Sequence, residues 1–277
     1  VLTLWGSATD RGRVRTINED ALLAYPPVFL VADGMGGHAA GDLASRLAVE
    51  EFAQLAGRAA ADPDEVHECF RRTALRLRDA VAAGRTAGTT VAGAAIAAYD
   101  GSAYWLVFNI GDSRVYRLVG DEIEQISVDH SLVQDLLDRG EISAEQAEVH
   151  PHRHVITRAV ESRAEPAPDY WLIPASPADR LLICTDGLTM EVPDTELRTI
   201  LGSVADPQDA AEQLVGAALA SGAQDNVSVV VVDVATVAPS DLEATAQSPG
   251  RRHDTEWNDE VDGATVPHRN RTVEAPR

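Results

Sequence analysis

Ala97-Ala98-Tyr99-Asp100-Gly101-Ser102-Ala103-Tyr104 joins two apolar runs, Thr89 to Tyr99 on one side and Ala103 to Ile110 on the other. An Asp-Gly pair between such runs is a hairpin signal, because a tight two-residue turn needs positive φ at both central positions. The next run, Val115 to Gln125, follows with no room for a helix between. Strands that adjoin directly pair antiparallel, so the stretch predicts an α+β class rather than a doubly wound parallel sheet.

Outward from this hairpin lie further strand candidates: Val28-Phe29-Leu30-Val31-Ala32, Arg180 to Cys184, and Val227 to Val232. Their β-branched and bulky apolar side chains suit a pleated, buried surface. The chain is also read as opening on an earlier strand pair. Ala44, Leu47, Ala48, Phe52 and Leu55 recur at helical spacing. Asp62-Pro63 and Asp206-Pro207 each place an N-cap acid before a proline at the first helical turn, the second ahead of Ala210 to Leu219. A shorter helix is predicted from His130 to Arg139, ending at Gly140. Another starts at Ser143, where Gln146 completes a capping box. Residues 1–234 form one domain. Residues 235–277 have no sustained period and are read as an acidic disordered tail, a solvated linker that carries a lone Trp257.

The 277 residues carry 23 basic side chains, all of them Arg, against 44 acids, a formal charge of −21. The absence of Lys closes Walker A loops, protein kinases and Schiff-base enzymes, each of which needs a Lys amine. Such an acidic balance argues against nucleic acid and anionic membrane as partners. No apolar run approaches the roughly 20 residues that span a bilayer. Two cysteines, Cys69 and Cys184, make no disulfide framework, which suits a reducing cytoplasm.

The acids fall at strand ends. Asp33-Gly34 follows Val28 to Ala32, Gly111-Asp112 follows Trp105 to Ile110, Asp186-Gly187 follows Leu181 to Thr185, and Asp225-Asn226 precedes Val227. Near the start stands Arg15-Thr16-Ile17-Asn18-Glu19-Asp20. A glycine beside an acid permits a tight turn and close approach of a backbone carbonyl to a ligand. Carboxylates gathered in one cleft repel each other, and a hard divalent cation with oxygen ligands, Mg²⁺ or Mn²⁺, resolves that repulsion.

These motifs, in this order, closely resemble the bacterial branch of the metal-dependent serine/threonine protein phosphatases, type 2C. The resemblance runs from about residue 4 to residue 234 and takes in Asp129-His130-Ser131-Leu132-Val133 and the stretch from His150-Pro151 to Arg158-Ala159. It implies a four-layer α-β-β-α sandwich of two antiparallel sheets flanked by helices, with a two-metal centre in the cleft at the sheet ends. By position, Asp33 would bridge two Mn²⁺ or Mg²⁺ ions, and the Gly34 carbonyl would bind one of them. Asp186 and Asp225 would complete the other. Glu19 and Asp20 would hold metal-bound waters or act as outer ligands. Asp112, with Asp186, would support a third, weaker ion. Arg15 would grip the substrate phosphate, and residues 127–160 would form a flap beside the site. Partners would be proteins phosphorylated on Ser or Thr and the Ser/Thr kinases that the enzyme opposes; the chain is read as a monomer.

The chemistry is coherent on its own terms. Two metals about 3.5–4 Å apart can polarise phosphoryl oxygens and lower the pKa of a bridging water. Arg15 offers a planar fork to two phosphate oxygens. On this reading Arg15, Asp33 and Asp186 carry turnover.

Rival readings are weaker. Gly34-x-Gly36-x-x-Ala39 nearly meets a dinucleotide fingerprint, but Asp33 would repel a pyrophosphate. Neither cysteine is followed by Arg at the spacing of a cysteine phosphatase: Leu75 and Met190 stand there. His152-x-His154 sits in a polar, Arg-bearing stretch and is read as surface or flap. His38 and His150 both remain candidates for the general acid. The alternative function is a catalytically inactive phosphatase-fold regulator or sensor.

Overall fold

The computed structural model describes residues 1–36, 39–81, 86–236, 257–261 and 264–267. In chain order its elements are β1 (Leu2–Asp10), β2 (Asp20–Tyr25), β3 (Val28–Met35), α1 (Ala39–Phe52), α2 (Pro63–Ala80), β4 (Gly88–Thr89), β5 (Val91–Tyr99) and β6 (Ser102–Ile110). They continue with β7 (Arg114–Val119), β8 (Glu122–Gln125), α3 (Leu132–Asp138), α4 (Ala144–Glu148), β9 (Val160–Glu161), β10 (Asp169–Pro174) and β11 (Arg180–Cys184). The last are α5 (Asp186–Thr189), α6 (Asp194–Ser203), α7 (Pro207–Ser221), β12 (Val227–Thr236), β13 (Trp257–Val261) and β14 (Ala264–Pro267).

The hairpin that sets the fold class forms in the expected place. Tyr99 opposes Ser102, and Asp100 and Gly101 take φ of 49° and 78°. Two positive φ values match the right-handed twist of the flanking strands. Every named strand pairing is antiparallel. One sheet runs β1-β12-β11-β7-β8, and the other carries β10-β6-β5-β3 at its centre, with β2 beside β3. The two strands that precede β3 do not pair with each other. β1 joins β12 in the first sheet, while β2 joins β3 in the second. The chain thus enters one sheet and crosses to the other through residues 11–19, where the Arg15 motif lies.

Period-two alternation builds four layers. On β3, Val28, Leu30 and Ala32 face Phe52 of α1 and Phe70 of α2, while Phe29 and Val31 face the other sheet. On β12, Val227, Val229 and Val231 face Leu197 of α6 and Leu214 of α7, while Val230 and Val232 complete the inter-sheet core with Trp105 and Ile183. Phe52 stands edge-on to Phe70 at 5.1 Å and stacks on Phe108 at 5.3 Å. Each such ring contributes about 1.5–3 kcal/mol by burial.

Local signals explain the helix starts. Asp62 caps α2 with Pro63 in the first turn, and its capping box closes with Glu65. Asp206 accepts from the amides of Gln208 and Asp209 at the start of α7. Ser143 and Gln146 form the capping box of α4.

Some boundaries differ from the sequence reading. The helical pattern through Leu55 ends as α1 at Phe52, and Ala53–Leu55 tighten into a 3₁₀ turn. The run read as one strand from Thr89 is interrupted at Thr90, whose amide turns to the Asp33 carbonyl. Strand β10 and helix α6 carry weaker signals and were not anticipated. Most of the segment read as a disordered tail lies outside the described residues. Within it β13 and β14 pair with each other, and Thr265 stands opposite Leu172 of β10.

Candidate metal and phosphate site

The acids at the strand ends meet at one end of the sandwich. Asp20 and Asp33 are direct partners across the β2–β3 ladder. The Asp33 backbone is fixed from the neighbouring strand: its amide donates to Thr90 Oγ1 (3.1 Å), and its carbonyl accepts from the Thr90 amide (2.9 Å) and from Thr89 Oγ1 (2.9 Å). Thr90 Oγ1 in turn pairs with Ser113 Oγ at 2.8 Å, so the residue after Asp112 supports the residue that holds Asp33.

Gly34 is buried where β3 meets the start of α1. A Cβ there would stand 2.1 Å from the Gly41 carbonyl oxygen, and one on Gly41 would stand 2.6 Å from Glu19 Oε1. Only a Gly–Gly contact lets helix, strand and Glu19 approach this closely. A second close approach joins Asp186 to Asp225: a Cβ on Gly187 would lie 2.1 Å from the Asn226 carbonyl oxygen.

Asn226, which the sequence reading placed only in a motif, ties the Arg15 loop to β12. Its Oδ1 accepts from the Glu19 amide (2.8 Å), and its Nδ2 donates to the carbonyls of Arg11 (2.9 Å) and Ile17 (3.0 Å). Ser45 Oγ donates to the Glu19 carbonyl at 2.6 Å from the other side. Thr90, Ser45 and Asn226 carry no charge, and their side chains bind the backbone of the acids rather than the carboxylates, so residue type alone gives no signal for the first two. Asn226 was visible only as the neighbour of Asp225.

The electrostatics of the site are those of crowded acids. Burial pushes the Asp20 carboxyl up to about 7, Asp186 to about 6 and Asp112 to about 8, with neighbouring aspartates adding to each shift. Asp33 is raised well above the usual carboxylate range by burial and then by Asp20, Asp186, Asp112 and Asp225. Asp20 Oδ2 accepts from Thr185 Oγ1 at 3.0 Å. Asp20 Oδ1, Asp112 Oδ1 and Asp186 Oδ1 are buried without a hydrogen-bond partner among the described residues. A buried carboxylate oxygen without a partner is costly, and a cation in the cleft removes that cost.

The donors are all hard oxygens, which fits Mg²⁺ or Mn²⁺. Among the described residues no three His, Cys, Asp or Glu side chains are closed on a single point ready to hold an ion.

Arg15 reaches into the same cleft. Its Nη2 donates to Asp225 Oδ2 at 2.7 Å, and its Nη1 lies 4.0 Å from Glu19 Oε2. The side chain is 48% exposed, which leaves the guanidinium accessible from solvent. Arg15, Glu19, Asp33, Gly34 and Asp225 line one cleft of about 450 Å³. Asp20, Asp112 and Asp186 lie beside it, where each perturbs Asp33.

The stretch 127–160 forms α3, α4 and turns, and its base is anchored to the site. His130 is buried; its Nδ1 accepts from the Gly111 amide (3.2 Å), and its Nε2 stands 3.0 Å from Asp169 Oδ2. Both oxygens of Asp129 accept from Arg114. The pairs Asp129-His130 and Ser113-Arg114 thus act as positioning groups. His152 and His154 are exposed, and His38 lies outside the described residues.

Residues 11–223 match the family model for protein phosphatase 2C. The chain belongs to this family. It is 35% identical over 239 residues to the serine/threonine phosphatase Stp of Listeria monocytogenes, covering 81% of this chain and 93% of that protein. It is 38% identical over 246 residues to the serine/threonine protein phosphatase PstP of Mycobacterium tuberculosis, covering 83% of this chain and 45% of PstP. The crystal structure of PstP superposes with a TM-score of 0.79 at 33% identity, over 85% of this chain and all of that one. A second PstP catalytic-domain structure, in complex with two manganese ions, matches with a TM-score of 0.74 at 33% identity, over 84% of this chain and 99% of that one.

Proposed function

We propose that the chain hydrolyses phosphoserine and phosphothreonine in proteins, as a metal-dependent protein phosphatase. The observation that carries this reading is the ring of half-buried to buried aspartates around Asp33, three of them with a buried oxygen that has no hydrogen-bond partner among the described residues, beside an accessible arginine. Asp33, the Gly34 carbonyl, Asp186 and Asp225 would hold two Mn²⁺ or Mg²⁺ ions, with Glu19 and Asp20 as outer ligands. Asp112 and Asp186 each have an oxygen to offer a third. The chemistry such ions supply is polarisation of phosphoryl oxygens and acidification of water.

The chain's own residues do the rest. Arg15 binds two phosphate oxygens through its fork and, because it already touches Asp225, aligns the ester with the acids. The Thr90–Ser113 pair and Asn226 keep Asp33 and Glu19 in place, so little reorganisation is needed during turnover. Cys69 and Cys184 are free and buried, which suits a reducing compartment. Among the described residues no helix is long and apolar enough to cross a membrane.

The test is phosphate release from a phosphothreonine peptide. The reading requires release with Mn²⁺ that stops on chelation and in Asp186→Asn. Metal-independent release, or none from the intact chain, favours the inactive-regulator alternative or another chemistry.

A further inference from the structure

Val14 and Ile17 flank Arg15-Thr16, and they are 66% and 41% exposed. Single exposed aliphatic residues need no explanation. These two, however, line the same cleft as Arg15, Asp33 and Asp225, and Met35 lines it with them. The cleft therefore has a charged floor and an apolar wall. Asn226 holds the loop that carries Val14 and Ile17 at both ends, through the carbonyls of Arg11 and Ile17, and it also binds the Glu19 amide, so the wall is set by the residue that sets Glu19.

We propose that Val14, Ile17 and Met35 form a side-chain subsite that selects phosphoproteins with an aliphatic residue flanking the phosphorylated Ser or Thr. This rests on the phosphatase reading above. A peptide bound in extended form advances about 3.3 Å per residue, so a neighbour of the phosphoresidue falls on the adjoining wall once the phosphate meets Arg15. Burying a branched aliphatic side chain against two β-branched residues and a thioether removes apolar surface from water on both partners. A difference of that kind is worth about tenfold in kcat/KM.

The experiment uses the full chain with Mn²⁺ and phosphothreonine peptides that differ only in Leu or Ser at the flanking positions. The Leu-to-Ser ratio of kcat/KM is expected to be about ten in the unmodified protein and to fall toward one in Val14→Ser, Ile17→Ser and the double variant. Because the ratio is taken within one protein, the fraction folded cancels. A ratio near one in the unmodified protein, or a ratio that the double variant leaves unchanged, overturns the subsite. Failure to release phosphate from either peptide at any Mn²⁺ concentration removes the phosphatase reading, and the subsite with it.

Discussion

Asp20 and Asp33 stand directly opposite each other on adjacent antiparallel strands, and the Asp20 carboxylate raises the affinity of Asp33 for a proton beyond what burial alone does. Like charges at opposing sheet positions are destabilising, and few folds keep them without a use. Asp33→Asn is therefore expected to abolish turnover, by about a hundredfold or more, while stabilising the metal-free protein by about 1 kcal/mol. Chemical denaturation without metal checks this. A purely structural Asp33 would give the opposite sign.

The pH dependence follows from the same group of acids. Asp20, Asp112 and Asp186 bind protons in the metal-free fold with carboxyls near 7, 8 and 6, above the ordinary value of 3.8. The native state then holds more protons than the unfolded chain from about pH 4 up to these values, so metal-free stability falls as pH rises through that window. Ions that bind the ionised acids displace these protons and gain affinity with pH. Thermal melts should show a larger Mn²⁺-induced rise in Tm at pH 8 than at pH 5.5. An equal rise at both would contradict the electrostatic account.

Arg15→Ala should raise KM for a small phosphate ester about tenfold, with a smaller change in kcat, since one charge-assisted fork is lost. Steady-state kinetics with Mn²⁺ decide it; unchanged KM and kcat would show that Arg15 does not meet the phosphate.

Arg180 illustrates a structural charge that the sequence did not flag. It is 8% exposed; its Nε donates to Asp233 Oδ1 at 2.7 Å, and its guanidinium also donates to the carbonyls of Leu201, Val204 and Ala205 at the end of α6. Arg180→Ala leaves the partly buried Asp233 carboxylate and several carbonyls without their donor and should cost about 3 kcal/mol of stability. Activity at low temperature should remain close to that of the unmodified enzyme, because Arg180 lies away from the cleft. Denaturant melts and a parallel assay measure both.

Removing residues 240–277 should leave catalysis intact, since among the described residues the site ends at Asn226. An assay of the shortened chain against the full chain checks this; loss of activity would mean that the pairing of β14 with β10 supports the site.

Much of the site was legible because its chemistry requires charge. Asp33, Asp112, Asp186 and Asp225 each interrupt or bound an apolar run, and an acid there has few structural reasons to exist. The fold class was legible from Asp100-Gly101 because a tight turn demands rare backbone angles. The supporting groups were not. Thr90 and Ser45 look like ordinary neutral residues, and their role depends on which strand or helix lies opposite, a long-range fact that local pattern does not encode. His130 was quoted within a motif, but its burial between Gly111 and Asp169 depends on a contact 39 positions along the chain. The exchange of β1 and β2 between sheets was invisible for the same reason, since strand pairing partners 200 residues apart leave no periodic trace.

The most direct test is a calorimetric Mn²⁺ titration of the chelator-treated full chain beside Asp33→Asn. The account predicts at least two bound ions per chain in the unmodified protein, released again by chelator, and loss of that binding in the variant. No binding, or binding that survives Asp33→Asn undiminished, would contradict it.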